Sequence, residues 1–308
     1  MSSLAQAILR TVCFADVLDA ALTPIEIVRW LGVDQKIPAS LADVTRALAE
    51  DDDVRSVLFS KDGFVCLRHR AALIPERLER LAIAEEKWVI ALRAMRRLRH
   101  IPWLRLAAVC NTVAMGLPRR GSDIDVFLVA VPHRLWFVRL LAHGLLLLEA
   151  RTRRGGRIKD TICLSFSITT HALALAPLAK MPEDPYLHIW LRTLVPVIDI
   201  DETYAALLRA NPRFVDGSRG ILPAATHSYG LSWFAKAAER MCPESVALWL
   251  NQFARRVQHP RIMRNAKSRL HAEGTDVVVT DDLLKFHEED KREAIRAAFH
   301  VRTTRYGV

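Results

Sequence analysis

The chain has 308 residues, of which 51% are hydrophobic and 25% charged, and its formal net charge is +10. This excludes a disordered or low-complexity chain and allows two or three domains with their own cores. Five cysteines, Cys13, Cys66, Cys110, Cys163 and Cys242, stand singly in apolar stretches with no Cys-x-x-Cys spacing. That argues against a zinc ribbon or a disulfide framework and for reduced, buried thiols in a cytoplasmic protein.

Residues 1–70 read as a small unit. A helix over 4–21 comes first. A second begins at Thr23-Pro24-Ile25-Glu26, where threonine caps, proline takes the first helical position and the glutamate closes a capping box. A third starts near Ser40, with Asp43 in the reciprocal place. Two β-rich runs then flank Asp62-Gly63, a signal for a tight hairpin. Three helices and a hairpin is the order of a winged helix-turn-helix. The third helix would enter DNA in that fold, yet it holds one arginine and ends in acids. Docking or a purely structural role is the plain alternative.

Residues 71–100 are expected to form a linking helix, with Leu78, Leu81, Trp88, Leu92 and Met95 as its apolar stripe. Residues 101–176 change character: a strand over 103–110, a loop entering a short helix, a strand over 123–130, a buried helix and a third strand over 161–169. The stretch Leu135–Ala150 is interrupted by Arg139 and His143 and falls short of the roughly 18 clean apolar residues of a membrane span. The start of the chain lacks a basic segment followed by an apolar core, so no secretory signal is expected. Residues 177–308 are expected to be mostly helical, with one strand-like piece over 276–280 and an amphipathic helix over 281–300.

Asp123 and Asp125 open the second strand of the middle region. Residues i and i+2 of a strand project to one side, and two adjacent carboxylates repel unless a cation lies between them. Oxygen ligands at this spacing favour Mg²⁺ or Mn²⁺. The alternative is a turn cap or a clasp on Arg119 or Arg120. A second Asp-x-Asp, Asp199 and Asp201, has no phosphate-loop pattern before it and reads as a helix start. His171 and His287 have no partner at metal spacing.

The segment Asn-Thr-Val-Ala-Met-Gly-Leu-Pro-Arg-Arg-Gly-Ser-Asp-Ile-Asp-Val-Phe-Leu-Val, residues 111–129, resembles the core motif of the DNA polymerase β nucleotidyltransferase superfamily. In that motif a Gly-Gly or Gly-Ser pair opens a helix, and an Asp-x-Asp or Asp-x-Glu follows after about ten residues. More widely, the chain resembles a group of bacterial and archaeal proteins with a winged-helix front end and a nucleotidyltransferase middle. The matching pieces include residues 8–19, 101–110, 134–141, 160–166 and 283–295.

The resemblance implies an α+β fold. It also implies a small mixed-sheet core that transfers a nucleoside monophosphate from a nucleoside triphosphate to a hydroxyl, with Mg²⁺ or Mn²⁺. It places Asp123 and Asp125 on the metal and Asn111, Thr112 and Ser122 at the phosphates. A third carboxylate on a later strand would be Asp160, with pairing to Lys159 or Arg157 as its alternative; positions 165 and 167 carry serines. The sequence departs from the motif at Asn111, where glycine is usual, although asparagine tolerates a left-handed backbone.

A degenerate relative that binds nucleotide without chemistry, or a winged-helix DNA regulator, remains open. The acceptor is a small molecule, a protein or RNA. Two basic clusters offer a surface to nucleic acid, or are solvated faces. They are Arg151, Arg153, Arg154, Arg157 and Lys159, and Arg255, Arg256, Arg261, Arg264, Lys267 and Arg269. No membrane partner is expected.

Overall fold

A computed structural model describes residues 1–31, 38–148, 160–215, 229–266, 276–287 and 290–308. The first unit contains α1 (Ser3–Val17), α2 (Pro24–Trp30), α3 (Leu41–Glu50), α4 (Asp52–Val57), β1 (Leu58–Lys61) and β2 (Phe64–Leu67). Both expected capping boxes are formed. Thr23 N–H donates to the Glu26 carboxylate at 2.8 Å and Ser40 N–H to Asp43 at 2.9 Å. The hairpin turns at Asp62 and Gly63, with φ of 52° and 77°. Positive φ at both central residues suits the twist of the two strands. The short α4 was not foreseen. Its acids sit at a helix start, where they suit the dipole, and Asp51 accepts from Val54 N–H at 3.1 Å.

The linking helix, α5 (Leu73–Leu98), is present, but its buried stripe is rotated from the expected one. Leu78 is half exposed, whereas Arg77, Arg80 and Lys87 are buried. Hydrophobic periodicity cannot detect such a face, because three of its inward positions are cations. Each finds acceptors inside, as burial of a charge demands. Arg77 donates to the carbonyls of Ala21, Met115 and Gly116 and to Glu26, and Arg80 donates to those of Leu18 and Asp19.

Beyond α5 lie β3 (Leu104–Val109), α6 (Asn111–Ala114), β4 (Ile124–Ala130), α7 (Leu135–Leu148) and β5 (Ile162–Thr169). Then come α8 (Pro185–Thr193), β6 (Val195–Asp199), α9 (Thr203–Arg209), α10 (Trp233–Met241), α11 (Glu244–Ala266), β7 (Asp276–Val279), β8 (Leu283–His287) and α12 (Arg292–Tyr306). The protein is α+β, with a mixed six-stranded sheet in the order β6-β3-β4-β5-β8-β7. β4 and β5 are parallel, with α7 lying between them in the chain, as a crossover requires; the other pairings are antiparallel.

Two strands differ from expectation. β6 lies within the stretch expected to be helical; its Pro196 is tolerated because β6 is an edge strand. β8 takes 283–287, where an amphipathic helix was expected to begin, because pairing with β5 and β7 overrides local propensity. The expected boundary at residue 176 therefore does not bound the sheet.

Side chains alternate between two cores. Ile124, Val126 and Leu128 of β4 pack with Ala91, Met95, Trp136 and Val138 from α5 and α7. Phe127 and Val129 face the other way, against Trp190 and Leu191 of α8 and Leu207 of α9. The Phe127 and Trp190 rings meet edge to face at 5.3 Å. A third core unites α1, α2 and β2 with Phe299 of α12, so the last helix packs on the first unit. Among the described residues, no helix is long and apolar enough to cross a membrane.

Candidate metal and nucleotide site

Asp123 directly precedes β4 and Asp125 is its second residue. In the parallel register Asp125 lies beside Cys163 and Ile124 beside Ile162. Neighbouring strands run about 4.8 Å apart and paired residues share a face, so β5 delivers the Cys163 thiol next to the Asp125 carboxylate. One ligand atom each from Asp123, Asp125 and Cys163 lies within 4.8 Å of the other two, and all three residues are partly exposed. The two carboxylates therefore converge as strand geometry requires.

Cys163 was missed by sequence reasoning, which took it as a buried structural thiol. The alternation of Ile162 and Leu164 into the core was a usable signal, since it turns residue 163 to the opposite face. A bulge then intervenes. Between the pairs Asp125/Cys163 and Phe127/Phe166, β5 has one residue more than β4. Phe166 and Ile168 consequently pack in the opposite core from Ile162 and Leu164. Ser167 is fully buried.

Asp160 lies outside this group of three. It sits before the strand with φ of 58°, so strand alternation does not govern it. Its carboxylate accepts from Lys87 Nζ at 2.9 Å. Lys87 also donates to the Ser122 carbonyl at 2.7 Å, tying the turn before Asp123 to the start of β5. Residues 149–159, which include the first basic cluster and the Arg157 and Lys159 alternatives, lie outside the described residues. So do Lys267, Arg269 and the side chain of His287.

Asn111 follows β3 with φ of 54°, in the left-handed region that glycine enters freely and asparagine tolerates. Its Oδ1 accepts from the hydroxyl of the partly buried Tyr186 at 3.1 Å. Cys110 N–H donates to the Asp125 carbonyl at 3.0 Å, which places the 111–117 loop at the carboxylate end of β4. Thr112 is exposed. The loop closes through Leu117 N–H on the Thr112 carbonyl at 2.7 Å and through Gly116, with φ of 68°. Ser122 Oγ accepts from Arg119 N–H at 3.0 Å, a turn contact. The Arg119 and Arg120 side chains reach Asp19 and Glu79.

Burial, and next the charge of Asp125, pushes the Tyr186 hydroxyl well above its ordinary pKa. Burial also raises Cys110, with Asp125, Cys163 and Asp123 adding to the effect. Both groups stay neutral. The carboxylate pair fits a hard divalent ion that keeps several waters, whereas a thiol is a ligand for softer metals.

Asp199 ends β6 and accepts from Tyr204 N–H at 3.0 Å at the start of α9, while Asp201 pairs with Arg105 at 3.3 Å. Of that second Asp-x-Asp, Asp199 therefore serves the start of α9 as expected, whereas the expected acids in the first turn of the helix are not there. His171 is exposed. α3 buries only Val44, and its Arg46 lies 4.0 Å from Asp43.

No family model, curated protein or solved structure matches the chain. The resemblance of residues 111–129 therefore rests on those residues themselves.

Proposed function

We propose that the chain is a nucleotidyltransferase of the DNA polymerase β type, with a winged-helix unit at its front and a divalent cation at Asp123 and Asp125. The observation that carries this reading is the convergence of those two carboxylates beside a loop whose asparagine adopts a left-handed conformation. Mg²⁺ or Mn²⁺ held there would neutralise the triphosphate and favour the acceptor as its alkoxide. The chain's own part is placement. Asn111 and Thr112 set the loop against the phosphates, β4 fixes the carboxylates, and Lys87 braces the turn at Ser122 from behind. An acceptor hydroxyl would attack the α-phosphorus, and the bond to pyrophosphate would break.

The test is turnover of a labelled nucleoside triphosphate with Mg²⁺ across a panel of acceptors. Asp123→Ala and Asp125→Ala should each reduce transfer by about a hundredfold or more, the scale for loss of a charge-stabilising group. Wild-type rates in both variants would sink the reading.

Cys163 favours a second reading. It stands beside Asp125 on the later strand, while Asp160, which the resemblance would make the third carboxylate, is engaged by Lys87. A nucleotide-binding protein without transfer would show Mg²⁺-dependent nucleotide binding, lost in both alanine variants, with no pyrophosphate released.

A further inference from the structure

α11 is held to the body along one stripe. Ala247, Asn251, Ala254 and Gln258 are buried and recur every three or four residues. Asn251 Oδ1 accepts from Phe137 N–H at 3.2 Å, and Gln258 Nε2 donates to the Trp136 carbonyl at 2.7 Å, both on α7. At about 100° per residue, Trp249, Phe253, Arg256 and Pro260 fall on the opposite side. Trp249 and Phe253 are 60% and 50% exposed, and their rings lie 5.8 Å apart and 18° from parallel. α10 adds a second exposed pair, Trp233 and Phe234, stacked at 3.5 Å. Packing among the described residues does not account for four large rings left in water.

Charge on these two helices is one-sided. The two acids they contain are drawn to arginines of the body: Glu239 meets Arg105 at 2.9 Å, and Glu244 meets the buried Arg134 at 2.6 Å. Lys236, Arg240, Arg255, Arg256, Arg261 and Arg264 are exposed. A cavity of about 530 Å³ opens on the flank of α11, with His133, Gln252, Arg255, Arg256 and His259 in its lining; Asp281 also lines it and pairs with Arg255 at 3.0 Å.

From these observations we infer that the outer face of α10 and α11 binds single-stranded nucleic acid. Flat rings accept bases by stacking whatever their sequence, and guanidinium groups beside them accept phosphates. A second copy on this face would set arginine against arginine, with both acids of the helices already engaged. A bilayer would take the rings on one level and the cations at its edge, yet Arg256 lies in line with Trp249 and Phe253. The surface uses none of the residues of the carboxylate site, so it stands whether or not transfer occurs there.

The experiment is fluorescence anisotropy of the full chain with labelled oligouridine, oligothymidine and a duplex, each of about 12 nucleotides per strand, near the upper site sizes of single-strand modules. Salt is varied upward from about 50 mM. Single strands of both sugars should bind more tightly than the duplex, the two arms showing whether the ribose hydroxyl contributes. Trp249→Ala and Phe253→Ala should each weaken binding by roughly 5- to 100-fold with an unchanged salt slope. The double variant Arg256→Gln, Arg264→Gln should lower the slope by about 0.7 per lost phosphate contact. All four residues are exposed, so the folded chain tolerates these changes. The inference is overturned by absence of saturable binding at low salt, by equal affinity for duplex, or by full affinity of the Trp249→Ala chain. It is equally overturned if the rings instead bind anionic phospholipid vesicles, or if Trp249→Ala abolishes a dimer seen by sedimentation.

Discussion

At the scale of single residues, the site was half legible. Asp123 and Asp125 stand out because two charges at the mouth of an apolar strand need a reason, and a spacing of two fixes their common direction. Cys163 was not legible, since its place beside Asp125 depends on the register between two strands about 40 residues apart in sequence. Its chemistry leads to a prediction. With a metal bound at Asp123 and Asp125 as proposed, Cys163→Asp would supply a third oxygen ligand on the face where the thiol now sits. Mg²⁺ affinity, measured by calorimetry, should rise by about tenfold, the lower end of what ligand-sphere changes are worth. Cadmium affinity should fall in the same variant, because the soft ligand is gone. If both metals bind as tightly as before, Cys163 is not a ligand. If transfer is the function, the same substitution should raise its rate with Mg²⁺.

At the scale of elements, the helices with caps were read well and the buried face of α5 was not. Thr23, Ser40 and the Asp62-Gly63 turn act through contacts within a few residues, so a local pattern suffices to find them. The cations of α5 act at long range. Arg77 grips the carbonyls at the end of the 111–117 loop, and Lys87 grips the turn before Asp123 and the carboxylate before β5. One helix thus braces both ends of the segment that carries the site. Gly116 is where this brace is tightest: an added Cβ would lie 3.1 and 3.2 Å from the Arg77 guanidinium nitrogens, and φ there is 68°. Gly116→Ala should cost about 1–3 kcal/mol in denaturant unfolding, the scale for strain at one left-handed residue. Lys87→Met should cost about 1–3 kcal/mol by leaving its acceptors unmatched. It should also weaken metal binding at Asp123 and Asp125, by freeing the turn at Ser122 that leads into them. Metal affinity unchanged in Lys87→Met would make the lysine purely structural.

At the scale of the whole molecule, the chain closes on itself in a way that local sequence patterns do not show. Phe299 of α12 meets Phe14 of α1 at 5.8 Å, and Arg302 and Arg70 both hold the buried Asp16. At the start of α12, Arg292 binds Asp184 before α8, Asp276 of β7 and Asp290, while Lys180 binds Asp290 at 2.7 Å. This ionic hub joins the last helix to the sheet edge and to α8. Each member is 8% exposed or less, apart from Asp276 at 13% and Lys180 at 31%.

Burial works against the Asp290 charge, but hydrogen bonds from Lys180 and Arg292 outweigh it and hold the carboxyl far below its ordinary pKa. The folded value is thus lower than the unfolded one of about 3.9. The stabilisation is complete above that pH and is lost as pH falls towards the folded value. The chain should therefore lose stability steeply below about pH 4. Asp290→Asn should be less stable at neutral pH by about 1–3 kcal/mol and show a shallower loss in acid, because one of the protons that drive unfolding has no site. Denaturant melts of both chains between neutral pH and about pH 2 measure the difference. Parallel stability curves through the acid range would mean that α12 is held by its apolar contacts with α1, and that the hub fixes only its direction.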